Sequence, residues 1–133
     1  MSLRLRLAHR LLLSALPLCL GLPLSGCGRQ AATATVNATW VLVAGTEPDP
    51  ATAKVRPCAD FGATTVRIEV TPGSAYDFPC TDYHGATMAM PAGYYSVQVI
   101  TFGTFGKVLA TLEFPETYAY GQTNLGELRI PVR

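Results

Sequence analysis

The sequence predicts an all-β domain, an antiparallel sandwich of about seven strands, preceded by a removable apolar leader. Three observations carry that reading. Apolar and polar residues alternate at period two through residues 36–133, with no apolar stripe at 3.6-residue spacing. The 10 Pro and 12 Gly fall largely between the alternating runs, where turns need a preset or a positive φ. An apolar run of fourteen residues, Leu11 to Leu24, lies near the amino terminus behind Arg4, Arg6 and Arg10. At 133 residues the chain suits one core and is short for two. Charged residues make up only 14%, so charge repulsion cannot keep the chain disordered. A formal charge of +1 without basic clusters gives no footprint for nucleic acid.

The leader comes first. Fourteen residues of helix rise about 21 Å, short of the roughly 30 Å hydrocarbon core of a bilayer. A basic start, a short apolar stretch and then small residues describe a secretory signal rather than a membrane span. The small residues are Leu24-Ser25-Gly26-Cys27, and these four positions resemble the lipobox of bacterial lipoproteins. The resemblance implies a diacylglyceryl group on the Cys27 thiol, cleavage just before it, and a further fatty acyl chain such as palmitate on the freed amine. Two or more chains, at about 0.8 kcal/mol per buried CH₂, anchor stably. Gly28 stands where Asp would signal inner-membrane retention, which points to the outer membrane of a bacterial cell envelope. The expected organisation is a signal peptide over 1–26, a lipidated cysteine and tether over 27–35, and a sandwich domain over 36–133. Losing three arginines with the leader turns the charge of +1 into −2.

Within the domain, Val36, Ala38, Trp40, Leu42 and Ala44 share one face of a first strand. Glu47-Pro48-Asp49-Pro50 opens a longer loop running to about Ala63, with one helical turn expected over Cys58–Phe61. Val66, Ile68 and Val70 then alternate with Thr65, Arg67 and Glu69, and Pro72-Gly73 marks a turn. Shorter strands are expected over Tyr76–Cys80 and Thr87–Met90. Pro91-Ala92-Gly93 precedes a strand in which Tyr95, Val97 and Val99 alternate with Tyr94, Ser96 and Gln98. Beyond the turn at Gly103–Gly106, Val108, Ala110, Leu112 and Phe114 form another face, and Leu128, Ile130 and Val132 the last. One apolar face per strand requires a second layer to cover it. The strand count suits an immunoglobulin-like or prealbumin-like (transthyretin-like) sandwich.

Export supplies the cysteine argument. Cys19 leaves with the leader and Cys27 is assigned to lipidation, so Cys58 and Cys80 remain as one pair in an oxidising compartment, where a disulfide is expected. A redox pair would call for close Cys-x-x-Cys spacing, and a zinc site for further thiols.

Trp40, Cys58 ahead of Val66–Val70, Phe78-Pro79-Cys80, Pro91-Ala92-Gly93-Tyr94-Tyr95 and Asn124-Leu125-Gly126 resemble a family of small bacterial lipoproteins. Members carry one immunoglobulin-like or prealbumin-like sandwich, and most have no assigned function. The Pro-Ala-Gly-x-Tyr segment is also similar to a turn-and-strand signature of carboxypeptidase-regulatory-like domains. The resemblance implies a fold and brings no activity with it.

Chemistry-bearing residues are sparse. His84 with Asp82, and Asp77 nearby, offers two metal ligands without a third and fourth of the required type. Glu47, Asp49 and Asp60 are interrupted by prolines and lack EF-hand spacing, so no metal is expected. There is no Gly-x-Ser-x-Gly elbow and no Gly-rich phosphate loop ahead of a helix, and no enzyme or cofactor is expected. Nine scattered acids make a carboxylate pair unavoidable by chance, so such a pair says nothing about glycoside hydrolysis.

Aromatic residues are more suggestive, and every one of them follows the leader. Tyr83, Tyr94 and Phe105 are the candidate binding surface, since alternation turns Tyr94 outward and the other two sit at turns. The expected partners are the membrane, through Cys27, and an envelope protein or a glycan. Two functions follow: a non-enzymatic interaction or structural module, working through an open sheet edge or aromatic loops, or a small carbohydrate-binding lipoprotein using exposed aromatic side chains, Trp40 or the outward tyrosines. The state of Trp40 separates them. Sharing a face with Val36 and Leu42 predicts that it is buried, which favours the first.

Overall fold

The computed structural model describes Gly28 and residues 30–133. The leader, the lipobox and Cys27 lie outside them. The described chain is all-β, with two sheets packed as a sandwich. Its strands are β1 (Thr33–Ala44), β2 (Val55–Arg56), β3 (Ala63–Thr71), β4 (Ala75–Pro79), β5 (His84–Ala86), β6 (Met90–Pro91), β7 (Gly93–Gly103), β8 (Val108–Ala119) and β9 (Gly121–Val132). Three 3₁₀ turns are the helical structure among the described residues: Cys58–Phe61, Cys80–Asp82 and Thr104–Gly106.

One sheet has the order β4-β3-β7-β8, antiparallel throughout. The other is organised around β1. On one side of β1 lie the short β6, β5 and β2, all antiparallel; on the other β9 runs beside it over almost its full length. That long pair is parallel, the one departure from the expected antiparallel arrangement. Its reason is topological: the first and last long strands are joined through the whole domain, so no tight hairpin forces them antiparallel.

Alternation predicted the core correctly on most strands. Val36, Ala38, Trp40 and Leu42 from β1, Val66, Ile68 and Val70 from β3, Tyr95, Val97 and Val99 from β7, and Leu128, Ile130 and Val132 from β9 fill the space between the sheets. Phe78 of β4 closes the β4–β5 side, its ring 6.2 Å from the Trp40 indole centroid. Gly85 permits this closure: a Cβ there would come within 2.6–2.8 Å of the Phe78 ring.

Several expectations change. β1 begins at Thr33 and buries Ala34, so residues 33–35, given to the tether by their composition, belong to the sheet. No strand covers residues 87–89; β5 lies at His84–Ala86, in the stretch expected to be loop, and β6 at Met90–Pro91. Thr87 instead spans the gap, its backbone N–H donating to the Val36 carbonyl and its hydroxyl accepting from the Val36 N–H. Val108 is exposed, because β8 is an edge strand whose first residues extend past the core. Val43, on the outward face of β1, is fully buried. The Glu47–Lys54 loop lies over this face, held by Arg129 of β9, whose Nε donates to the Pro50 carbonyl at 2.7 Å and whose other amine donates to the Ala53 carbonyl.

Candidate functional site

The expected turn at Cys58–Phe61 forms, and a disulfide joins Cys58 to Cys80 with 6.1 Å between the Cα atoms. Both sulfurs are buried, and the bond ties the long loop before β3 to the turn after β4. Closing a loop of 22 residues contributes about 3 kcal/mol on the chain-entropy estimate. Next to it, the Trp40 indole N–H donates to the Cys80 carbonyl at 2.9 Å, and the ring is 1% exposed. Trp40 is a core residue with its polar atom satisfied.

Tyr83, Tyr94 and Phe105 are all exposed, but they do not form one surface. Tyr94 opens β7 and Phe105 caps its other end, about 30 Å away at some 3.4 Å per residue. Tyr83 precedes β5, on the side of the sandwich away from β8, with its own carbonyl accepting the Trp40 backbone N–H at 3.0 Å. Outward alternation identified exposed rings, but which strand ends they share depends on register.

Each ring has different company. Tyr94 pairs across the sheet with Tyr118 of β8, ring centroids 4.9 Å apart and tilted by 59°. Tyr120 follows in the β8–β9 turn, also exposed. Sequence reading did not single out Tyr118 and Tyr120, although a spacing of two puts both on one side of an extended chain. At the opposite end, Phe105 projects completely into solvent from the β7–β8 turn with φ of 55°. It overhangs a groove of about 410 Å³ on the outer face of the β4-β3-β7-β8 sheet, floored by Thr65, Arg67, Asp77 and Phe102. Arg67 makes a bidentate pair with Asp77, at 2.7 and 2.9 Å, and its guanidinium lies 5.0 Å from the Phe102 ring centre. The hydrogen bonds from Arg67 hold the Asp77 carboxyl below the usual carboxylate range, and the same pairing raises the guanidinium. The groove therefore presents an aromatic ring, a neutralised ion pair and threonine hydroxyls.

A second recess, of about 360 Å³, lies on the outer face of the β1 sheet between Asn37, Thr39, His84 and Asn124. His84 Nδ1 is 2.7 Å from the Asp82 carbonyl oxygen of its own turn. No three of the His, Cys, Asp and Glu side chains among the described residues come together as metal ligands would. Among the same residues no helix is long and apolar enough to cross a membrane.

Comparison with known proteins adds no relative: no protein-family model, curated protein or solved structure matches the chain.

Proposed function

We propose that this chain is a membrane-anchored envelope lipoprotein, held through Cys27, whose sandwich serves as a non-enzymatic interaction or structural module. The observation that carries the choice against sugar binding is Trp40. Its indole is enclosed between the sheets and its N–H is bonded to Cys80, so the one tryptophan cannot stack on a sugar ring. For partner contact, the Phe105 turn and the groove beside it are favoured over strand addition. Both edge strands on the open side carry a proline, Pro115 in β8 and Pro131 in β9, and proline blunts an edge by removing a donor. A fully exposed phenylalanine beside a satisfied Arg–Asp pair has the make-up of an interface anchor with a polar rim.

The test is photocrosslinking of the full chain in its own membranes from a probe at position 105, with the captured neighbour identified. One defined envelope protein, lost in Phe105→Ala, is the expected result. Glycan binding that Tyr94→Ala abolishes, with no protein neighbour at position 105, would replace this reading with the carbohydrate one.

A further inference from the structure

The two ends of the sandwich differ in charge. Four segments converge where β1 begins: Ala34 pairs with Met90 and Gly121, Gly93 with Ala119, and Tyr94 with Tyr118, while β3 ends beside them with Thr71 paired to Ser96. The Ala92 N–H also donates to the Ala32 carbonyl at 2.9 Å. Residues 30–36, 70–76, 87–95 and 117–123, which supply this end, contain no Asp, Glu, Lys or Arg; Arg29 precedes them in the tether sequence. The charges gather at the other end, with Glu47, Asp49, Lys54, Arg56, Lys107 and Arg133 in the loops and strand termini there.

The uncharged end is not simply polar. It exposes Tyr94, Tyr118 and Tyr120, at 64%, 55% and 64%, and Met88 at 75% close by. An isolated exposed ring is ordinary. Three tyrosines and a methionine at a charge-free end, beside the emerging amino terminus, form a patterned surface. Tyrosine combines an apolar ring with a wet hydroxyl and is enriched at the headgroup level of membranes.

The chain that leads to this end fixes what covers it. Ala32 is already bonded to the domain, so five residue steps separate it from Cys27, at most about 17 Å when fully extended. We propose that the Tyr94–Tyr118–Tyr120 rim is a membrane-seating surface, resting in the headgroup layer of the bilayer that holds Cys27. The inference rests on the lipid-anchored reading above and adds an orientation to it. The domain stands end-on, its long axis along the bilayer normal, with Phe105 and the charged loops directed away from the lipid. Glu116, two residues before Tyr118 on β8, and Glu69, near the end of β3, mark where the wet surface begins.

The test uses the full, processed chain in vesicles of phosphatidylethanolamine and phosphatidylglycerol carrying bromine on the acyl chain near the headgroup. Tyr120→Trp and Phe105→Trp place a reporter at each end; both positions are exposed, so neither substitution burdens the fold. Trp40, enclosed in the core, supplies the same background in both variants. The expected result is at least about twofold quenching of the added emission in Tyr120→Trp and none in Phe105→Trp, as interfacial residence of that rim alone requires. Mass spectrometry of the same samples reads the state of Cys27. Acylated Cys27 with equal, weak quenching at both ends leaves the anchor standing and overturns the seating. An unmodified Cys27 overturns the anchor and the seating with it. Crosslinks between the rims of two copies, without bromine quenching, would assign the surface to self-association and also overturn the proposal.

Discussion

The two ends of this sandwich are built by different means. At the end away from the amino terminus lie two long excursions, residues 45–54 within the β1 sheet and residues 57–62 crossing to the other sheet, whose own hydrogen bonds close only single turns. Cross-ties hold them: the Cys58–Cys80 disulfide, the Arg129 guanidinium on the Pro50 and Ala53 carbonyls, and the Trp40 indole on the Cys80 carbonyl. The end where β1 begins is closed by short turns and backbone bonds, helped by the Tyr95 hydroxyl donating to the Pro91 carbonyl. The difference teaches where the surface is free to vary. An end whose loops depend on particular side chains has fewer positions to spare, whereas an end closed by its backbone can display tyrosines.

Trp40 is one of these cross-ties, and its loss should have the largest effect. Trp40→Ala removes a fully buried ring, its contact with Phe78 and its bond to Cys80, for about 3–5 kcal/mol. Denaturant unfolding would show the midpoint falling at an unchanged slope. Removing the disulfide by Cys58→Ala with Cys80→Ala should cost about 3 kcal/mol. Hydrogen exchange should then speed up first in residues 45–62 and leave β6 and the start of β7 protected. Uniform acceleration would mean that the two ends are not independent. Gly85→Ala drives a methyl group into the Phe78 ring and should cost about 1–3 kcal/mol, with Trp40 fluorescence reporting the displacement.

The smaller effects sharpen the same contrast. The Thr101 hydroxyl is completely buried in β7 without a hydrogen-bond partner. Thr101→Val replaces it with a methyl of similar shape and should raise stability by about 1 kcal/mol in thermal unfolding. Asp77→Asn breaks the bidentate pair in the groove near Phe105, and because that pair is part-exposed it should cost only about 0.2–1 kcal/mol. The folded carboxyl titrates below its ordinary range, so its contribution is full above that range and disappears as pH falls through the lowered folded value. The wild-type advantage over Asp77→Asn should therefore shrink in acid. An advantage unchanged in acid would remove the Arg67 pairing from the account.

Legibility in the sequence followed the same division. Strands with one clean apolar face, β3 and β9 above all, could be read directly, because period-two alternation is a local consequence of half-burial. The edge elements could not. His84–Ala86 and Met90–Pro91 are too short to show a period, and their strand character comes only from lying against β1. The candidate surface was legible residue by residue and not as an arrangement. Tyr94 was correctly turned outward, but its partner Tyr118 arrives from a strand more than twenty residues on, through a register that no local pattern encodes.

By itself the sequence determined the class of fold, the pairing of Cys58 with Cys80 and the burial of Trp40, because each follows from alternation or from a count of what is left to pair. Tertiary structure alone decided the parallel pairing of β1 with β9, the closure of Phe78 over Gly85, and the gathering of tyrosines at one end and charges at the other. The physical reason is common to all three. Each joins residues distant along the chain, and their meeting is fixed by strand order and register, which the domain settles only when both sheets are in place.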